Sequence, residues 1–139
     1  MGIFSRLLGN DIAKKIHIRN EIDIADAINA HMQWKVRLQR CLDGTSEEKL
    51  DPMMVCRDDQ CVLGKWIHGP AVNHFHGDED FNALRSDHAH FHYVASNIVL
   101  KAQQNDRSTA MGLFNGEYVH ASRKVIHALT ELHKHLEEA

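Results

Sequence analysis

Apolar residues fall at three- and four-residue steps along three long stretches of this chain, the spacing that lines one face of an α-helix. Ile24, Ala27, Ile28, Trp34, Leu38, Cys41 and Leu42 mark the first stretch, with Asn20 and Asp23 as start signals and Gly44 as the stop. Phe81, Leu84, Phe91, Ala95, Ile98, Val99 and Ala102 mark the second, which runs from about residue 81 to residue 104. Ser108 is placed to cap the third, where Met111, Phe114, Tyr118, Ala121, Val125, Leu129, Leu132 and Leu136 keep a near-heptad repeat. A shorter helix is expected within residues 58–70, with Asp58 and Asp59 as acidic caps and Gly69-Pro70 as its terminator. Residues 45–53 and 71–80 read as connections. Helices striped in this way must bury their stripes on one another, so the expected fold is all-α: an antiparallel four-helix bundle in which one short helix carries the cysteine ligand.

At 139 residues the chain is long enough for one domain with a substantial core. Residues 20–139 form the expected bundle. Residues 1–19 differ in character: Ile3, Phe4, Leu7, Leu8, Ile12 and Ile16, with Arg6, Lys14 and Lys15, make an amphipathic segment interrupted at Gly9-Asn10 that either docks on the bundle or on a partner or is a frayed terminus, membrane-surface binding being disfavoured by its few basic residues. Sixteen basic against nineteen acidic side chains leave a net charge of -3, which argues against a nucleic-acid scaffold. No run of about eighteen apolar residues exists to span a membrane. Three cysteines without a disulfide spacing, and no secretory signal, point to the reducing cytoplasm.

Twelve histidines are the anomaly. His31 sits on the first apolar stripe and His88 and His92 on the second, where unpaired imidazoles carry a desolvation cost. His88 and His92 are one helical turn apart and can share an ion. Cys61, in the first turn of the short helix, supplies a thiolate favoured by the helix dipole. Three imidazoles and one thiolate make a tetrahedral set of the kind that structural zinc sites use, with no position for a catalytic water and no catalytic residue. Spacing by itself leaves surface or hydrogen-bonded core histidines open as the alternative. Trp34 and Trp66 are expected as aromatic walls around the metal, and Cys41 as a small core residue. Cys56 is placed to resolve an oxidised Cys61 by a disulfide, against an ordinary loop cysteine. His74 and His76, beside Asp78, Glu79 and Asp80, allow a second metal site, although a solvated loop is favoured. His120 and His127 belong on an outer face, and His90 points away from the two ligands around it.

These elements, His31-x-x-Trp34, Cys61-x-Leu63-Gly64-x-Trp66 and His88-x-x-x-His92, occur in the order seen in the chemoreceptor zinc-binding domain family, which the chain resembles over about residues 24–95. The resemblance implies Zn2+ as cofactor, held by His31, Cys61, His88 and His92, in a helical fold that is often a homodimer. It further implies a sensory or regulatory role for zinc or for oxidants of the hypochlorous acid type, in chemotaxis or cyclic-di-GMP signalling. Because no second module is visible beside the domain, a chemoreceptor or diguanylate cyclase partner is expected in trans. Three other classes compete. A di-iron, hemerythrin-like oxygen-binding bundle needs bridging carboxylates, and neither Glu21 nor Glu117 is spaced to supply them. A hydrolytic zinc enzyme needs an open coordination position and a general base, and no His-Glu-x-x-His helix is present. A purely structural zinc bundle would use the same four ligands and sense nothing.

Overall fold

The computed structural model describes Phe4 and residues 8–138, and every regular element among them is helical. Ile3, Arg6 and Leu7 of the amphipathic segment lie outside the described residues. The elements are α1 (Ile12–Glu21), α2 (Ile24–Asp43), α3 (Pro52–Val55), α4 (Val62–Ile67), α5 (Ala71–Phe75), α6 (Glu79–Gln103), α7 (Arg107–Asn115) and α8 (Glu117–Glu137). The long helices α2, α6 and α8 pack pairwise on one another, α7 packs on both α6 and α8, and α3 lies on α6.

Local chemistry sets the ends of α2. The Asp23 side chain accepts from the Asp26 N–H, and Gly44 closes the helix at φ 72, where the Arg40 and Cys41 carbonyls accept the following N–H groups. Asn20 is not part of that start, because it belongs to α1. The buried stripe of α2 is Ile24, Ala27, His31, Trp34, Leu38 and Leu42, with a histidine in its middle. On α6 the buried set includes Phe81, Leu84, His88, Phe91, His92, Ala95, Ile98 and Val99.

Both expected connections contain helix. Asp51 caps α3 through the Met53 N–H, with Pro52 at the first helical position where a missing N–H costs nothing. In residues 71–80 the chain makes α5, then Asp78 caps α6 through the Asp80 N–H and starts it two residues earlier than the apolar pattern suggests. The last helix is also two. Asp106, rather than Ser108, caps α7 through the Thr109 N–H, and Gly116 breaks the run at φ -117, ψ -93 before α8. Apolar spacing carries across that break because both segments face the same core, so the periodicity hides it.

The amino-terminal segment packs on the bundle through Phe4 and Leu8 of the expected apolar set, but not through Ile12 and Ile16. Phe4 is fully buried against Phe75, ring centroids 5.3 Å apart, and its N–H donates to Asp80. Ile12 and Ile16 stay exposed, while Lys15 and Ile18 are buried. A turn at Gly9, φ 45, re-phases the helix that follows. Lys15 lays its stem on the core and brings Nζ out to the Glu138 carbonyl oxygen, 3.5 Å away. Among the described residues, no helix is long and apolar enough to cross a membrane.

Candidate metal centre

His31 projects from the middle of α2, His88 and His92 from the middle of α6, and Cys61 from the turn before α4. Their ligand atoms all lie within 4.8 Å of one another. His88 Nε2 is 3.1 Å from both His31 Nε2 and His92 Nε2, and the Cys61 sulfur is 3.3 Å from His88 Nε2 and 3.6 Å from His92 Nε2. A tetrahedron with bonds of about 2.05 Å to nitrogen and 2.3 Å to sulfur has edges of roughly 3.3 Å between nitrogens and 3.6 Å between nitrogen and sulfur. The observed separations fit those edges.

The proton count fits as well. His31 Nδ1 lies 2.7 Å from the Ala27 carbonyl oxygen and His92 Nδ1 3.0 Å from that of Val55. A carbonyl only accepts, so both Nδ1 atoms carry hydrogen, and in neutral rings both Nε2 atoms are bare lone pairs. The centre therefore gathers four short contacts around atoms that can bring a proton only from His88 Nε2 and from the thiol. A cation supplies what such a cluster of lone pairs lacks. The two carbonyls act as outer partners that fix ring tautomer and orientation, as at metal-ligating histidines generally.

Burial keeps the imidazoles neutral. Desolvation, opposed by the Ala27 bond, lowers His31 to about 4. Desolvation, reinforced by His92 and His31, lowers His88 to about 2. His92 is lowered too, again by desolvation, with the Val55 carbonyl working against it. Cys61 is not in the first turn but is itself the N-cap of α4: its sulfur accepts from the Gly64 N–H at 3.3 Å, the role expected of Asp58 or Asp59. That bond favours thiolate, yet burial outweighs it and pushes the thiol up. The helix end alone is therefore insufficient to ionise this sulfur; a bound cation would do so.

Asp58 instead pairs with His68, 2.9 Å away, across the turn that α4 closes. Gly64 is required there, because a Cβ would overlap the Asp58 carbonyl group. The glycine of the Cys61-x-Leu63-Gly64-x-Trp66 box thus seats the helix on the strand of backbone that delivers the cysteine.

The two tryptophans have different stations. Trp34 stands edge-on to His92, centroids 6.2 Å apart, with the Arg37 guanidinium carbon 3.8 Å from the Trp34 ring centroid as a cation–π partner. Trp66 turns to Phe75 and donates its indole N–H to Glu21 at 3.0 Å, so it supports the amino-terminal helix and not the metal wall. Phe91 packs edge-on against His31 in its place. Beside Trp34 a cleft of about 450 Å³ opens on Cys61 and His92, with Arg37 and Arg57 among its lining. The sulfur is thus within reach of small solutes.

Of the other cysteines, Cys41 is partly buried and its thiol raised by that burial, while Cys56 donates to the Met53 carbonyl oxygen at the end of α3. His90, His120 and His127 are exposed. His74 leaves the acidic group suggested by the sequence and pairs with Glu21. The orienting carbonyls of Ala27 and Val55 carry no side-chain signal, so sequence reasoning had no means to find them.

Comparison with known proteins adds one family. Residues 31–99 match the chemoreceptor zinc-binding domain, a stretch that opens on His31 and takes in Cys61, His88 and His92. No curated protein and no solved structure gives a significant match. The matched family binds zinc, and the four-residue cluster is compatible with a zinc site. Through that segment, about half its length, the chain belongs to the chemoreceptor zinc-binding domain family.

Proposed function

We propose that His31, Cys61, His88 and His92 hold one zinc ion in a closed 3His/1Cys site, and that the chain is a sensor in which Cys61 is the ligand that lets go. The observation that carries this reading is the asymmetry of the centre. All three imidazoles stand on long helices and two of them, His31 and His92, are fixed by carbonyl bonds, whereas the sulfur sits at the cap of a six-residue helix beside an open cleft. Zinc when bound supplies the charge that keeps the sulfur as thiolate, and the four side chains satisfy it without a water position, which sets the site apart from hydrolytic centres.

Cys61 has two ways to release. Falling zinc availability empties the site, or a two-electron oxidant such as hypochlorous acid converts the thiolate to sulfenic acid while chloride leaves, and sulfenic acid is a poor ligand. Either event removes the anchor of α4. Movement of residues 58–69 is the output in this reading, passed to a chemoreceptor or diguanylate cyclase partner in trans, with the chain acting as a homodimer.

Metal content and hydrogen exchange test this in the wild type, Cys61→Ser and His88→Ala, before and after oxidant. The wild type is expected to hold one zinc per chain and to lose protection in residues 58–69 on oxidation. His88→Ala is expected to lose zinc outright. An oxidant that leaves both zinc and exchange unchanged would move the reading to a purely structural bundle, and two irons per chain would move it to the hemerythrin-like class.

A further inference from the structure

A second group of ligating side chains lies away from this centre. His17 and Glu21, one turn apart on α1, meet His74 of α5, and one ligand atom from each lies within 4.8 Å of the others. His74 Nε2 is 3.0 Å and 3.1 Å from the two Glu21 carboxylate oxygens, and His17 Nε2 is 3.2 Å from one of them. The two imidazole rings are 5.2 Å apart. His74 and Glu21 are largely covered and His17 is open to solvent. Trp66 donates its indole N–H to Glu21 Oε1 at 3.0 Å, which fixes the carboxylate from behind. Partial burial would raise the Glu21 carboxyl, but the bonds from Trp66 and His74 and the charge of the two histidines outweigh it and hold it below its ordinary value.

We propose that His17, Glu21 and His74 form a second site for a borderline divalent transition ion of the zinc, cobalt and nickel class. Two imidazoles and a carboxylate suit such ions and leave the remaining positions to water. The Trp66 bond plays the part that outer hydrogen bonds play on ligating carboxylates. The Lys14 ammonium bonds the His74 carbonyl oxygen at 2.8 Å and brings a positive charge close by, so this site is weaker than the thiolate centre. An ion here ties α1 to α5. Through Trp66 it also bears on α4, the helix that Cys61 caps.

Cobalt titration of the full chain tests the site, because the two centres give different spectra. Sulfur-to-cobalt charge transfer reports the Cys61 centre, and weaker visible absorption with no sulfur band reports nitrogen and oxygen ligands. His17→Ala, at an exposed position, and the isosteric Glu21→Gln are expected to weaken the sulfur-free uptake by at least about tenfold and to leave the sulfur band and the helical content unchanged. Sulfur-free cobalt uptake that is the same in the wild type and both variants, whether present or nil, overturns the proposal. Sulfur-free uptake that needs His17 and Glu21 while the sulfur band never forms supports this site and removes the reading of the Cys61 centre instead.

Discussion

His31 and His92 each spend one ring nitrogen on a backbone carbonyl, and that bond decides what the other nitrogen can do. Aimed inward without a proton, it is a ligand; a nitrogen that kept its hydrogen there would have no lone pair to give a cation. The cost appears as pH dependence. Because burial lowers the three imidazoles in the folded protein, the unfolded chain binds more protons than the folded one as pH drops below about 6.5. The metal-free protein is therefore expected to have its full stability above that pH and to lose up to about 1.4 kcal/mol per pH unit for each imidazole below it, down to about pH 4 for His31 and about 2 for His88. Denaturant melts at stepped pH in the presence of chelator measure this. Zinc uptake has a different origin of pH dependence: the raised Cys61 thiol gives up its proton, while the imidazoles are already neutral. Affinity is expected to rise about tenfold per pH unit through the neutral range, and Cys61→Ser is expected to flatten that slope along with weakening the site. Competition with a chelator of known pH response reads both.

At the scale of elements, the three long apolar stripes made α2, α6 and the core-facing part of α8 legible, because a buried face writes itself into the sequence at helical spacing. What escaped was set by single caps and turns. Gly116 divides α7 from α8 without disturbing the stripe, and Asp51 with Pro52 begins a one-turn helix in a segment whose composition resembles a loop. The role of α3 was likewise invisible, although its Val55 carbonyl orients a candidate ligand. In the Cys61-x-Leu63-Gly64-x-Trp66 box the residues were legible and their reasons were not: the cysteine caps, the glycine clears the Asp58 backbone, and the tryptophan reaches α1. Gly64→Ala is accordingly expected to destabilise the protein by about 1–3 kcal/mol, as overpacking does, and to weaken zinc binding with it. Thermal unfolding with and without zinc separates the two effects.

For the whole molecule, the candidate ligands join α2, α4 and α6, elements that lie far apart in the chain. Zinc at about a thousand times its dissociation constant is expected to add about 4 kcal/mol to the free energy of unfolding, by mass action alone. Chelation should therefore lower the denaturant midpoint, and hydrogen exchange should rise more in residues 51–67 than in α8, whose stripe of Tyr118, Val125, Leu129 and Leu132 stays buried without the ion. An equal rise throughout would show that the bundle and the α3–α4 segment open as one unit. The candidate site was the most legible part of the molecule, since histidines on apolar stripes conflict with their surroundings unless something holds them. The cluster of His17, Glu21 and His74 was not, because its members come from an exposed helix and from a stretch read as loop.

Val55 and Cys61 are both fastened to the same centre, one through the carbonyl that holds His92 and the other through its sulfur. The segment between them is a short tether with two attachments. In the proposed release of Cys61, Val55 still keeps the far end within a few residues' reach, so recapture is a local search by a leashed group and not an encounter in solution. Recovery after reduction is then expected to be fast and independent of protein concentration, and the proposed switch would be one that resets.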